Sequence, residues 1–254
     1  VSDDWNAYIT RIEDSITSIL LDMGIVDDAP DPQRTWLVRV SIALQNPDEY
    51  GMTTNEEFDA INPLEEAIVE AIEQGLDAVH VGCMTHDGQR AVVFYSPTFE
   101  GVDVALGPVM QAYSTYELRS SCQEDAEWGF YFEIMFPSPY EMQSMSNSSV
   151  LQGLLEAGDS LEQERVVSHW AYFPSEQARA QFIVSVQEKG YEVDQESLDT
   201  NAEPPNPFGV QIDRVDHVDQ ASIDQITIEL FELAQSLEGT YDGWETFVVR
   251  SDEE

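Results

Sequence analysis

Few side chains in this sequence suit chemistry. His80, Cys83 and His86 lie close together, and imidazole and thiolate are zinc ligands. Strand alternation sends His80 and Cys83 to opposite faces, and His86 falls in a hairpin turn, so no metal site is expected there. His169 is the second candidate. It lies in a strand expected to run beside a last strand bearing Asp242 and Glu245, and a histidine with a carboxylate partner can shuttle protons. No nucleophile or third orienting group accompanies it. A hydrogen-bonded structural histidine is therefore the expected reading, and an enzyme of unknown type centred on His169 is the alternative.

The carboxylates themselves carry no signal. The chain of 254 residues holds 50 Asp and Glu against 10 Lys and Arg, a net charge of −40, so acid pairs arise everywhere by chance. The phosphate-cradling glycine loop, the nucleophile elbow and the paired-histidine metalloprotease helix are all missing from the sequence, and no cofactor is expected. The sole lysine, Lys189, falls at a predicted helix end, where the helix dipole accounts for it. Residues 1–145 carry a net charge of −22 and residues 146–254 one of −18. Acidity over both halves disfavours direct contact with nucleic acid or an anionic membrane, since phosphate neutralisation needs clustered cations. It suits either a solvated, salt-adapted surface or one that attracts a basic protein segment.

Length and composition fit two globular domains. No run approaches the roughly 20 apolar residues that cross a bilayer, and the start, Val1-Ser2-Asp3-Asp4-Trp5, lacks the basic and apolar regions of a signal peptide, although a trimmed start fits the missing methionine. Two cysteines, Cys83 and Cys122, are too few for a disulfide framework. They are expected to be free and buried in a cytoplasmic protein.

The elements that must position these residues are legible from periodicity. In the N-terminal half, residues 5–9 and 15–21 predict an opening hairpin, and 35–43 a strand. Thr54-Asn55-Glu56-Glu57 starts a helix with Phe58, Ile61, Leu64, Ile68 and Ile72 inward. Residues 79–85 and 90–96 flank the turn His86-Asp87-Gly88, a second helix spans 99–111, and 130–135 predicts a closing strand. A break is expected at 141–149, after Pro137-Ser138-Pro139, dividing the chain into domains 1–145 and 146–254. Asn147-Ser148-Ser149 there matches a glycosylation acceptor, a triplet common by chance.

In the C-terminal half a short amphipathic segment, 150–155, precedes a strand over 167–173. Pro174-Ser175 opens a helix carrying Ala178, Phe182 and Val186, which ends at Lys189-Gly190. Strands around Tyr191 and Val193 and around Phe208, Val210 and Ile212 are joined by the loop Pro204-Pro205-Asn206-Pro207. Asp219 or Ser222 caps a helix with Ile223, Ile226, Leu230, Leu233 and Leu237 on one stripe, and 241–249 closes the sheet. Each half thus reads β-α-β-β-α-β. The fold class is α+β: two tandem ferredoxin-like α/β sandwiches, the first with an extra N-terminal hairpin.

Alternation places His169, Ala171 and Phe173 on one face of the last sheet and Trp170 and Tyr172 on the other. If the smaller set faces the helices, Trp170, Tyr172 and Trp244 share the open face, with Asp242 and Glu245 beside them. Aromatics on that face stack RNA bases in other ferredoxin-like modules, but such binding needs a cationic groove, which this half lacks. A docking face for the N-terminal domain or for another protein is expected instead, with Gly243 read as a bulge or turn that sets the register.

Gly158-Asp159, Arg165-Val166-Val167, His169-Trp170-Ala171-Tyr172-Phe173, Gly190-Tyr191-Glu192-Val193 and Tyr241-Asp242-Gly243-Trp244-Glu245-Thr246 carry a resemblance to the regulator of ribonuclease E activity B family. It covers residues 146–254. The N-terminal half resembles a family of unknown function often joined to it, through Trp5, Tyr8, Asn55-Glu56-Glu57-Phe58, Val81-Gly82, Thr85 and Phe94-Tyr95. The resemblance implies a ferredoxin-like sandwich, no catalysis, and regulation of RNA turnover by binding a ribonuclease E-like protein through its arginine-rich segments. Simple members of that family lack the N-terminal domain, and the oligomeric state is open at this level.

Overall fold

The computed structural model describes residues 2, 4–199 and 206–250, which fall into two compact units, Val1–Ser138 and Pro139–Glu254. Pro204 and Pro205 of the expected loop lie outside the described residues.

The first unit contains β1 (Trp5–Ile12), β2 (Ser15–Asp22), β3 (Trp36–Ala43), α1 (Asn55–Leu76), β4 (Val79–His86), β5 (Gln89–Ser96), α2 (Val102–Ala112) and β6 (Leu118–Glu124). Its antiparallel sheet has the order β1-β2-β4-β5-β3-β6, which without the opening hairpin is ferredoxin-like. Asp87 and Gly88 both take positive φ, as the two-residue turn between β4 and β5 requires. Val38, Val40, Ile42, Val92 and Phe94 meet Leu64, Ile68, Ile72 and Leu106 beneath the helices.

Three expectations fail here, each for a local reason. Phe58 is 47% exposed, because the buried stripe of α1 begins at Glu57 instead. That carboxylate accepts the backbone N–H groups of Gln45 and Asn46 at 2.9 Å each, while Thr54 caps the helix. The closing strand is β6, not residues 130–135. Leu118 is its one buried residue, so the edge strand Leu-Arg-Ser-Ser-Cys-Gln-Glu shows no alternation, and Cys122 on it is exposed while Cys83 is buried.

Residues 130–135 form a π-helical turn, Phe130–Met135. Asp125 starts it by accepting the N–H groups of Gly129 (2.8 Å) and Phe130 (2.9 Å) and the Tyr95 hydroxyl (2.6 Å). Trp128 stacks on Tyr95 at 4.1 Å, Tyr131 donates to the Asp22 carbonyl (2.7 Å), and Tyr8 donates to the Met135 carbonyl (2.9 Å). The sheet face opposite the helices is therefore closed by the unit's own chain.

The second unit contains α3 (Pro139–Glu156), β7 (Arg165–Phe173), α4 (Glu176–Glu188), β8 (Glu192–Leu198), β9 (Phe208–Asp216), α5 (Gln220–Ser236) and β10 (Thr240–Thr246). The sheet order β10-β7-β9-β8, all antiparallel, is the same ferredoxin-like topology. Ser175 caps α4 and Asp219 caps α5. Ala171, Phe173, Val210 and Ile212 pack against Phe182, Val186, Leu230 and Ala234.

Residues 141–149, expected to be irregular, lie within α3. Polar contacts hold this helix where apolar periodicity is thin. The Asn147 amide donates to Asp224 (2.8 Å) and Thr227 (2.7 Å), and its oxygen accepts from Trp244 Nε1 (2.8 Å). Asn147 is fully buried, so its triplet offers no accessible glycosylation acceptor. Asn147→Ala strands the Trp244 N–H and the partners on α5, and is expected to lower stability by about 2 to 4 kcal/mol in denaturant melts.

His169 is 1% exposed on the helix side of β7, where its Nδ1 meets the Tyr241 hydroxyl at 2.8 Å. Burial, with Arg214 nearby, pushes its pKa down from 6.5 to about 3. Between those values the unfolded chain binds the extra proton, so the contribution of His169 to stability falls as pH drops from 6.5 toward 3. His169→Gln is expected to flatten this part of the pH profile, measured as the difference between the two proteins' melts at each pH. Parallel profiles would contradict it.

Candidate functional site

The candidate face lies on the second sheet, opposite its helices. Pairing places Val166, Ser168, Trp170 and Tyr172 of β7 on it, beside Gly209, Gln211, Asp213 and Val215 of β9. Glu192 and Gln195 of β8 and Gly243 and Glu245 of β10 extend it to both edges. None of these residues is Lys or Arg. Arg165 and Arg214 occupy the opposite register positions, on the helix side.

Trp170 and Tyr172 are half-buried. A Cβ on Gly209, the partner of Tyr172, would sit 2.9 Å from the Tyr172 ring, so bare backbone lets the ring lie down across the sheet. Burial, then the nearby Asp242 and Asp199 carboxylates, pushes the Tyr172 hydroxyl pKa up. Asp242 and Glu245 are exposed. Acid thus rims an aromatic centre. Gly209 is a positioning residue that sequence reasoning missed; a glycine inside a strand was its available signal.

Trp244 is not on this face. The register shifts between Tyr241 and Gly243, with Asp242 as the extra residue, so Trp244 pairs with His169 on the helix side. It is 8% exposed and packs with Leu151, Leu154, Val167, Val218 and Ile223. Gly243 takes φ +131 at this bulge, a conformation L side chains rarely adopt. His169 is likewise packed, and its ring nitrogen meets Tyr241 rather than Asp242 or Glu245, which removes the basis for an enzyme centred on it.

In the first unit a bulge at Val81 brings His80 and Cys83 to the same face, paired with Phe94 and Val92, against the expectation from simple alternation. They do not converge on a common point. His80 Nε2 meets the Gly82 carbonyl at 3.0 Å, Arg90 donates to Cys83 Sγ at 2.8 Å, and His86, in β4 rather than its turn, shares a 3.1 Å bond with Thr17. Burial raises the Cys83 thiol to about 12, away from the thiolate a metal would need. Among the described residues no group of three or more His, Cys, Asp or Glu side chains is placed to hold a metal ion. No helix of the described residues is long and apolar enough to cross a membrane.

No curated protein matches the chain. Among solved structures it is similar to an unknown protein from Galdieria sulphuraria, at 11% identity over 85% of this chain and 99% of that one, TM-score 0.22. It is also similar to a protein described as a glycine cleavage system transcriptional repressor, at 13% identity over 84% and 98% of the two chains, TM-score 0.22. Overlaps this loose carry no argument. The family models are specific, and the mixed α+β fold with two antiparallel sheets agrees with them. Residues 144–246 match the model of a family of regulators of ribonuclease activity B, and the chain belongs to the family of unknown function DUF695, whose model matches residues 3–136, just over half of it.

Proposed function

We propose that the chain is a non-catalytic regulator that binds a ribonuclease E-like enzyme in the cytoplasm and inhibits or modulates its cleavage of RNA. The open face of the second sheet is the docking surface in this reading. The observation that carries it is the pairing of two half-buried aromatic rings, Trp170 and Tyr172, with a rim of carboxylates and no cation on the face. Such a surface favours the guanidinium groups of a basic protein segment, which lie over aromatic rings while meeting carboxylates. It repels a phosphate backbone, so the chain acts on the ribonuclease rather than on the RNA. The match of residues 144–246 to the model of a family of ribonuclease regulators supports the reading.

Capture of the basic scaffold segment of a ribonuclease E-type enzyme by the immobilised full chain tests it. Binding at moderate salt is expected, falling as NaCl screens the carboxylates. Trp170→Ala with Tyr172→Ala is expected to weaken capture by roughly tenfold to a hundredfold, as loss of central aromatic anchors does. Asp242→Lys with Glu245→Lys is expected to slow association and reduce its salt dependence. Gly209→Val, which lifts the Tyr172 ring without removing it, is expected to fall between wild type and the aromatic double variant. No capture, or capture indifferent to salt and to all of these substitutions, would sink the proposal.

A further inference from the structure

Among the described residues the two sheets present four edge strands, and three of them are defended against pairing. On β8, Glu192, Asp194 and Glu196 are exposed and the register breaks at Asp194. On β10 the Asp242 bulge and Glu245 serve the same purpose, and β6 carries exposed Arg119 and Glu124. The fourth edge, β1, is Trp-Asn-Ala-Tyr-Ile-Thr-Arg-Ile. It has no carboxylate, no proline and no bulge along eight consecutive pairs with β2, and Arg11 is its single charge.

Hydrogen-bonding phase fixes what this edge offers. Met23 N–H bonds the Asp4 carbonyl at 2.8 Å, so the even-numbered residues of β1 bond toward β2. Trp5, Ala7, Ile9 and Arg11 therefore direct their N–H and C=O groups outward, and their side chains share one face. Trp5 rests at 5.1 Å on His80 yet is 37% exposed, and Ile9 is 69% exposed. Ile16 and Leu20, beside them on β2, are half-buried, which extends an apolar strip along the edge.

We infer that this edge is completed by a second copy of the chain, β1 antiparallel to β1 about a two-fold axis through Tyr8. In that register the four outward residues pair completely: Ala7 of one copy faces Ile9 of the other, and Trp5 faces Arg11, a cation over an aromatic ring made twice by symmetry. Charge selects the occupant. A basic partner finds no carboxylate on this strand, and an acidic one finds only Arg11. Two chains of net charge −40 repel each other over most of their surface and meet most readily on an acid-free strand.

Sedimentation velocity of the full chain over a range of concentrations and NaCl tests the assignment. A monomer–dimer equilibrium is expected, tightening with salt as the mutual repulsion is screened. Ile9→Lys, at an exposed position that leaves the circular dichroism unchanged, is expected to weaken dimerisation by about tenfold or more. Independently, Ala7→Cys with Ile9→Cys in a Cys122→Ser background is expected to give an oxidised dimer on a non-reducing gel. Hydrogen-bonded antiparallel partners lie about 5.5 Å apart between Cα atoms, within disulfide reach. A chain that stays monomeric at every salt concentration, a dimer indifferent to Ile9→Lys, or failure to cross-link would overturn the proposal.

Discussion

Scarcity of positive charge constrains everything else in this molecule. With 10 cations against 50 acids, Arg90, Arg165, Arg179 and Arg214 are held at internal junctions rather than on a free surface. Arg165 is buried against Asp159, which also accepts the Val249 N–H and so ties the chain after β10 to the start of β7. Arg90 joins Glu65 of α1 to Thr85 and Cys83 of the sheet beneath it. Arg179 links α4 to the Ser197 and Gly209 carbonyls and to Glu196, and Arg214 lies over Tyr191 while meeting Asp216. Buried charges of this kind persist only when paired and hydrogen-bonded, so removing either member of a pair leaves an uncompensated ion inside. What remains for the surface is almost wholly negative.

Two sandwiches of the same topology handle their second sheet face differently. In the first unit, the segment after β6 folds back as a π-helical turn and covers it, with Trp128 on Tyr95 and Arg39 over Phe130. The second unit has no comparable segment among its described residues, because its chain after β10 turns instead toward Asp159. The open face is therefore a consequence of where the chain goes after the last strand, not of the strand sequences alone.

The element order, helix caps and Asp-Gly turn were legible because each rests on local chemistry: Thr54, Ser175 and Asp219 accept N–H groups as their residue types suggest. The placement of Trp170 and Tyr172 opposite the helices was legible because β7 is unbroken from Arg165 to Phe173. The errors at His80, Cys83 and Trp244 share one origin. Counting by twos along a strand fails after a bulge, and both Val81 and Asp242 are extra residues that exchange the two faces downstream. Segments stabilised by polar contacts were hidden for another reason. Neither the first half of α3, held through Asn147 and Ser144 to Asp224, nor β6, with one buried residue, writes an apolar period into the sequence.

The same net charge sets opposite conditions for the two surfaces. At the open face, carboxylates lie beside Trp170 and Tyr172, so attraction to a basic segment is strongest where salt is low and its long-range part decays over a Debye length of about 8 Å at physiological ionic strength. At β1 the local contribution is apolar and hydrogen-bonded, while the long-range contribution between two like-charged chains is repulsive, so screening helps rather than hinders. On the two proposals, strand pairing at β1 would gain as ionic strength rises, while docking on the second sheet would lose. Salt would thereby separate the two proposed interactions, because each depends on a different balance between local contacts and the charge of the whole molecule.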